Sequence, residues 1–395
     1  MVKFMIKSVH FHHDKKVHPS SENFGLKQAE SARRFHQSFP EYTKTPLVEL
    51  SELSKKLNVN KIFVKDESYR FGLNAFKVLG GSYAIGRYIQ DTAELNERQF
   101  NYETLTSPEL KEKLGQMTFI TATDGNHGRG VAWTANRLKQ HSVVYMPKGS
   151  AQERLDNIKA LGSDASITEF NYDDAVRLAN KHANENGWIM VQDTAWEGYE
   201  KIPAWIMQGY TTMALEIVEE LGTIKPTHLF LQAGVGALAG AVTGFFADYY
   251  KDNRPIITIV EPDKADCIYK TAAANDGRIH TVGGDLNTIM AGLACGEPCT
   301  IGWNVLHDHA DHFISMSDNY AELGMRTLGL PLGNDQVIVS GESGAATMGF
   351  VTEILSNPEH KELKEAFQLN EDSIIICIST EGDTDKENYK RILNQ

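Results

Sequence analysis

From Met117 to Asp193 strand-like and helix-like patterns alternate without a break, and no other feature narrows the fold as far. MTFITAT (117–123) runs through DGNHG into RGVAWTANRLKQ, and SVVYMP, AQERLDNIKALG, DASITEF, YDDAVRLANKHANENG and WIMVQD follow in turn. Short apolar runs rich in β-branched residues fit strands, and the longer amphipathic stretches between them fit helices. Consecutive parallel strands need a crossover, which a helix supplies, so the pattern predicts an α/β fold: open, mostly parallel sheets covered by helices on both faces. Asn171 ahead of YDDAV, with Asp174 three residues on, marks a capped helix start. The pattern recurs in an amphipathic helix from about Pro203 to Leu221, then THLFLQ (227–232), AGVGALAG, AVTGFFADYYK and PIITIVEP (255–262). KIFVKD (61–66) and SIIICIST (373–380) are further apolar strands. The simplest partition inserts a smaller α/β unit, 86–202, into a larger one built from 1–85 and 203–395. The cleft between them is the natural ligand site.

A length of 395 residues fits two or three domains at ~150 residues each. With 41% hydrophobic and 23% charged residues the chain can bury a core, which excludes intrinsic disorder. Against 39 Lys and Arg stand 52 Asp and Glu, a net charge of −13 with no segregated basic face, which argues against nucleic acid and anionic lipid as partners. The longest strictly apolar stretches, such as Ile374 to Ile378, fall far short of the ~20 residues of a membrane span. MVKFMIKSVHFHHDKK is broken by Lys3 and Lys7, lacks the apolar core of a secretory signal, and leaves the cytoplasm as the expected location.

Cys267, Cys295, Cys299 and Cys377 are too sparse for a disulfide framework, and Cys295 with Cys299 lacks the histidine pattern of a zinc site. Cys267 and Cys295 can still meet in space. Period-two spacing puts His10 and His12 on one strand face beside His13, but no carboxylate pattern accompanies them; they read as surface, and no metal is expected.

Gly234-Val235-Gly236-Ala237-Leu238-Ala239 stands between a strand and a helix, where backbone N–H groups and the helix dipole favour an anion such as a phosphate. The string also fits G-x-G-x-x-G/A, and Glu261 closes the next strand 27 residues on, near where a dinucleotide fold places its ribose-binding acid. An NAD-dependent dehydrogenase is therefore one reading, and a non-catalytic phosphate-ligand binder another. Lys77 lies in LNAFKVLGGS. With Asn74 as N-cap it would be the third helical residue, where unpaired N–H groups disfavour a cation. That setting, with burial, favours the free amine that Schiff-base chemistry on a carbonyl cofactor requires.

The order of NAFK, a strand ending in TDGNHG, a strand ending in AGVGALAG, then SGESGA and ISTEGD resembles the tryptophan-synthase-β-like (fold type II) pyridoxal-phosphate enzymes, from Thr45-Pro46-Leu47 onward. TPL, the lysine-bearing helix and the GNHG loop are similar to threonine deaminases. The variants Asp124 to Gly128 and Asp193 to Gly198, and the blocks KDESYRFGLNAFK, YMPKGSAQER, EPDKADCIY and IMAGLACGEP, are most similar to the diaminopropionate ammonia-lyase family. The resemblance implies a two-domain enzyme whose larger unit binds pyridoxal 5'-phosphate, and a homodimer. It implies that Lys77 carries the cofactor with Phe76 beside it, and that Gly234, Val235, Gly236, Ala237 and Leu238 cradle the phosphate. Asn126 then bonds the pyridoxal 3-oxygen, Thr380 faces the pyridine nitrogen, and Thr123, Asp124, Gly125 and His127 hold the substrate carboxylate. A neutral hydroxyl at the ring nitrogen favours elimination over transamination.

Asp124 and Asp193 depart from the deaminase pattern. A β-ammonium leaving group needs an acceptor-only partner that binds a cation and handles protons, which a β-hydroxyl does not. The expected reaction is conversion of either enantiomer of 2,3-diaminopropionate to pyruvate and two ammonia, with Lys77, Asp124 and Asp193 catalytic; a threonine/serine deaminase-like lyase is the alternative. Glu342 falls in a block near the ring, with no role assigned.

Overall fold

The computed structural model describes residues 6–11, 13, 16–123 and 125–395. Asp124 and His12 lie outside the described residues. The strands are β1 (Ile6–His10), β2 (Leu47–Glu49), β3 (Lys61–Asp66), β4 (Thr118–Ala122), β5 (His141–Met146), β6 (Asp164–Ile167), β7 (Ile189–Met190), β8 (His228–Gln232), β9 (Ile256–Pro262), β10 (His312–Met316) and β11 (Ile374–Ser379). Among the described residues they form a seven-stranded sheet, β1-β10-β9-β8-β11-β3-β2, and a four-stranded one, β6-β5-β4-β7. The four-stranded sheet is parallel throughout. The larger is parallel from β10 to β3, with β1 and β2 added antiparallel at its edges.

Period two explains why the central strands read as unbroken apolar runs. Leu229 and Leu231 of β8, with Ile376 and Ile378 of β11, enter one core, while Phe230, Ile375 and Cys377 enter the core on the other face. The first core takes helices Val78–Thr92, Lys201–Leu221 and Ala237–Tyr250; the second takes Asp318–Gly329 and Glu342–Ser356. The expected strands appear at their positions, β3 residue for residue. Asn171 caps its helix by accepting from Asp174 N at 2.9 Å. Asp174 completes no reciprocal capping box; its carboxylate pairs with Arg177 at 2.8 Å.

The histidine reading needs correction. His10 is half-buried rather than a surface group, because β1 pairs with β10 and sets His10 Nδ1 2.8 Å from His312 Nδ1. His13 Nε2 lies 3.0 Å from Ala310 O.

Candidate active site

One cleft collects loops from the C-terminal ends of strands in both sheets, where parallel α/β sheets place their ligands. β8 ends at Gln232 and turns through Gly234 and Val235 into helix Ala237–Tyr250, whose N-cap Gly236 has φ 89°. That left-handed backbone suits glycine and turns the unpaired N–H groups of the first helical turn toward the cleft. A Cβ on Gly234 would fall 3.2 Å from Gly292 O and 3.3 Å from Cys295 Sγ, so a side chain there would crowd the 292–295 backbone. Gly234, Val235, Gly236, Ala237 and Leu238 all line the cleft. A backbone cradle at a helix start is an anion site without a cationic side chain.

Lys77 faces this cradle from helix Val78–Thr92. It is the N-cap rather than the third helical residue, and Asn74 does not cap. The approach takes left-handed steps at Phe71 (φ 51°), Gly72 (φ 68°) and Asn74 (φ 56°). Ala75 then bridges to Glu381, and Phe76 N donates to Thr380 O at 3.0 Å. Tertiary pairing at Ala75 and the turn at Phe76 thus start the helix later than local propensity suggests. Lys77 stays at the positive end of the dipole, and its ammonium is in contact with the Asp193 carboxylate.

Asp193 follows β7 and is buried. Burial pushes its carboxyl up, but Lys77, His127 and the Tyr172 hydroxyl outweigh that and hold it down at about 2. Tyr172 Oη donates to Asp193 Oδ1 at 3.3 Å and accepts from Gln192 Nε2 at 2.9 Å. His127 does not line the cleft; its Nε2 is 2.8 Å from Val191 O and its Nδ1 is 4.0 Å from Asp193 Oδ2. Thr123 likewise turns into the fold, its hydroxyl accepting from Gly125 N at 2.9 Å and Gly128 N at 3.1 Å. Of the TDGNHG block, Asn126 reaches the cleft among the described residues. Gly125, with φ 140°, starts that helix. The side chains of Thr123 and His127 thus shape the loop, and Thr123 takes up the N–H groups of Gly125 and Gly128.

Glu381, Gln232 and Tyr172 are among the lining groups not singled out from sequence. Glu381 Oε2 accepts from Asn126 Nδ2, and its Oε1 accepts from Ser343 N at 3.2 Å, an arrangement that fixes which way the Asn126 amide points. Gln232, Tyr172 and Thr380 also line the cleft. Glu381 stands directly after Thr380 in ISTEGD, so its place was readable; what Gln232 and Tyr172 touch was not.

Glu261 is buried, its two oxygens accepting from Ile268 N at 2.9 Å and Tyr269 N at 2.6 Å. Spent on capping helix Cys267–Ala274, it is not placed to hold a ribose, which removes the dinucleotide reading of the glycine loop. All four cysteines are buried, and no disulfide joins those described. The Cys267 thiol is pushed up by burial and by Glu261, with Cys295 close enough to add to the effect.

An amine on a helix start, a backbone phosphate cradle opposite, an oriented amide and a hydroxyl fit pyridoxal phosphate. The sequence model of one family, Pyridoxal-phosphate dependent enzyme, matches residues 39–379. The chain is 52% identical over 377 residues to a diaminopropionate ammonia-lyase of Escherichia coli (strain K12), covering 95% of this chain and 93% of that protein. It is 49% identical to the protein of that name from Salmonella typhimurium, covering 91% and 90%. The crystal structure of the Escherichia coli diaminopropionate ammonia lyase in complex with D-serine superposes with a TM-score of 0.92 at 49% identity, covering 99% of this chain and 97% of that one.

Proposed function

The chain belongs to the family of pyridoxal-phosphate dependent enzymes, and we propose that it is a lyase that adds water to 2,3-diaminopropionate, of either hand, and releases pyruvate and two ammonia. The observation that carries this reading is the contact of Lys77 with Asp193 at the mouth of the 234–238 cradle. Bound pyridoxal phosphate supplies the electron sink that lets the α-proton leave. Lys77 Nζ would hold the cofactor and would be the base for the α-proton of the L form. The 234–238 loop would hold the phosphate, and the hydrogen of Asn126 Nδ2 not given to Glu381 would be available to the 3-oxygen. Asp193, which pairs one ammonium here, offers the same carboxylate to the β-ammonium and assists its departure. Asp124 is the residue assigned as base for the D form, whose α-hydrogen points to the face of the ring away from Lys77. The Escherichia coli relative's complex with D-serine supports a site that admits D amino acids.

The experiment is a product count on the yellow holoenzyme: two ammonia per pyruvate from 2,3-diaminopropionate, with borohydride fixing the chromophore to Lys77. A preference for serine or threonine, releasing one ammonia per pyruvate, would favour the deaminase-like alternative. Asp193→Asn should slow both enantiomers. Asp124→Asn should cost the D substrate at least ~100-fold in turnover and the L substrate much less. Equal losses would leave Asp124 a binding group.

Residues 86–202 as a smaller unit inserted into 1–85 and 203–395 remain our proposed domain partition, supported by the placement of all four strands of the smaller sheet within that span. Family resemblance supports a homodimer, which sedimentation equilibrium at twice the 44.0 kDa chain mass would establish. No helix among the described residues is long and apolar enough to cross a membrane.

A further inference from the structure

Gln232 is the last residue of β8, is 1% exposed and lines the cleft. Its Nε2 donates to Ile378 O at 2.9 Å, Ser343 O at 3.1 Å, Gly344 O at 3.4 Å and Thr380 Oγ1 at 3.1 Å. Three of these acceptors are carbonyls, which fixes the amide orientation: the nitrogen faces β11 and the start of helix Glu342–Ser356. Gln232 Oε1 is buried with no hydrogen-bond partner. An amide held so firmly at one end, at the cost of an unpaired oxygen at the other, has work to do on the group it donates to.

That group is the Thr380 hydroxyl, which has one proton and two lone pairs. Gln232 occupies one lone pair, and no described residue accepts the proton. Accepting one hydrogen bond strengthens a hydroxyl as a donor. The Thr380 proton is therefore presented to the cleft. Were Thr380 to accept from a protonated ring nitrogen instead, its own proton would be left buried without an acceptor, the costly arrangement.

We propose that Gln232 is a positioning residue for the cofactor ring: by donating to Thr380 it commits that hydroxyl to donate to the pyridine nitrogen, and so keeps the nitrogen unprotonated. This rests on the cofactor reading above and on Thr380 as the hydroxyl facing the ring nitrogen. It adds a residue that acts through Thr380 without touching the ring. An unprotonated ring withdraws fewer electrons, which suits a reaction needing only brief stabilisation of the deprotonated carbon before the β-group leaves.

The test is ¹⁵N NMR of holoenzyme reconstituted with pyridoxal phosphate labelled at the ring nitrogen, for wild type, Gln232→Leu and Thr380→Val. In wild type the signal should sit at the neutral-pyridine end of its range and stay there from pH 6 to 9. In Gln232→Leu it should move toward the pyridinium end at the low-pH side, with elimination slowed about tenfold, the scale of one hydrogen bond. Thr380→Val, which keeps the shape and removes the hydroxyl, should move it the same way. A pyridinium signal in wild type overturns the proposal, even if neither variant folds. A yellow Gln232→Leu enzyme whose signal and pH response match wild type overturns it as well. A wild-type protein that binds no pyridoxal phosphate overturns the cofactor reading instead, and absorbance alone distinguishes that outcome.

Discussion

Glu342 opens helix Glu342–Ser356, where the dipole should favour a carboxylate, yet it is 3% exposed. Burial, reinforced by the charge of Glu381, pushes its carboxyl up to about 7, against the pull of the Asn388 amide that donates to it. Between about 4.5 and 7 the folded chain holds a proton that the unfolded chain has lost, so this residue makes stability fall as pH rises through that window. The shift corresponds to roughly 3 kcal/mol above pH 7. Glu342→Gln keeps an acceptor for Asn388 and removes the titration. It should therefore raise the urea midpoint at pH 8 while leaving that at pH 5 nearly unchanged. An equal gain at both pH values would show that the carboxyl does not titrate in this window. Both glutamates were visible in the sequence, in SGESGA and ISTEGD; that they are neighbours was not, since they are 39 positions apart and meet only through the fold.

Helix Asn126–Arg137 meets helix Val78–Thr92 through glycine. A Cβ on Gly130 would fall 2.8 Å from Val78 Cα and 2.9 Å from Val78 N, both backbone, so the Lys77 helix would have to shift. Across the same contact a Cβ on Gly81 would meet Gly130 C at 3.4 Å, an ordinary contact. A displacement of the reacting group by an ångström costs on the order of 100-fold. Gly130→Ala should accordingly lower kcat at least about tenfold with cofactor still bound, while Gly81→Ala stays within a few-fold of wild type. Steady-state kinetics on both variants, with the bound chromophore measured by absorbance, check this; equal effects would show that the contact does not position Lys77. The sequence marked most of these elements because amphipathic periodicity is local. It misplaced the start of the Lys77 helix, since that boundary is held by Ala75 pairing with Glu381 and not by a cap. It also missed β2 and β10, a three-residue edge strand and a strand of five buried residues, HFISM, whose pairing partners are distant in the chain.

Across the whole molecule a buried charge network ties the first segment of the chain to helix Lys201–Leu221. Arg70 Nη2 donates to Glu67 at 2.8 Å and to Glu216 at 2.7 Å, and Lys65 Nζ contacts Glu216 at 3.0 Å and donates to Thr45 O at 2.6 Å. Lys65, Glu67, Arg70 and Glu216 are fully buried, two charges of each sign. Glu216→Gln leaves Arg70 paired with Glu67 and Lys65 with the part-exposed Glu220 at 2.7 Å, and should destabilise the fold by about 3 kcal/mol, read as a lowered urea midpoint with unchanged slope. A loss below 1 kcal/mol would mean that water or rearrangement satisfies the cations. The α/β class, the central parallel strands, the glycine cradle and the lysine were legible in the amino-acid sequence. Those follow from periodicity and from residues whose backbone or amine chemistry is intrinsic, and the motif order was enough to indicate the family. Tertiary structure alone decided that Asp193 pairs with Lys77, that Asn126 is oriented by Glu381 255 positions away, that Glu261 is consumed by a helix start, and that Gln232 holds Thr380. What a polar side chain can do is set by its type, but whether it is free to do it depends on which partners the folded chain brings within about 3 Å, and no local pattern encodes that distance.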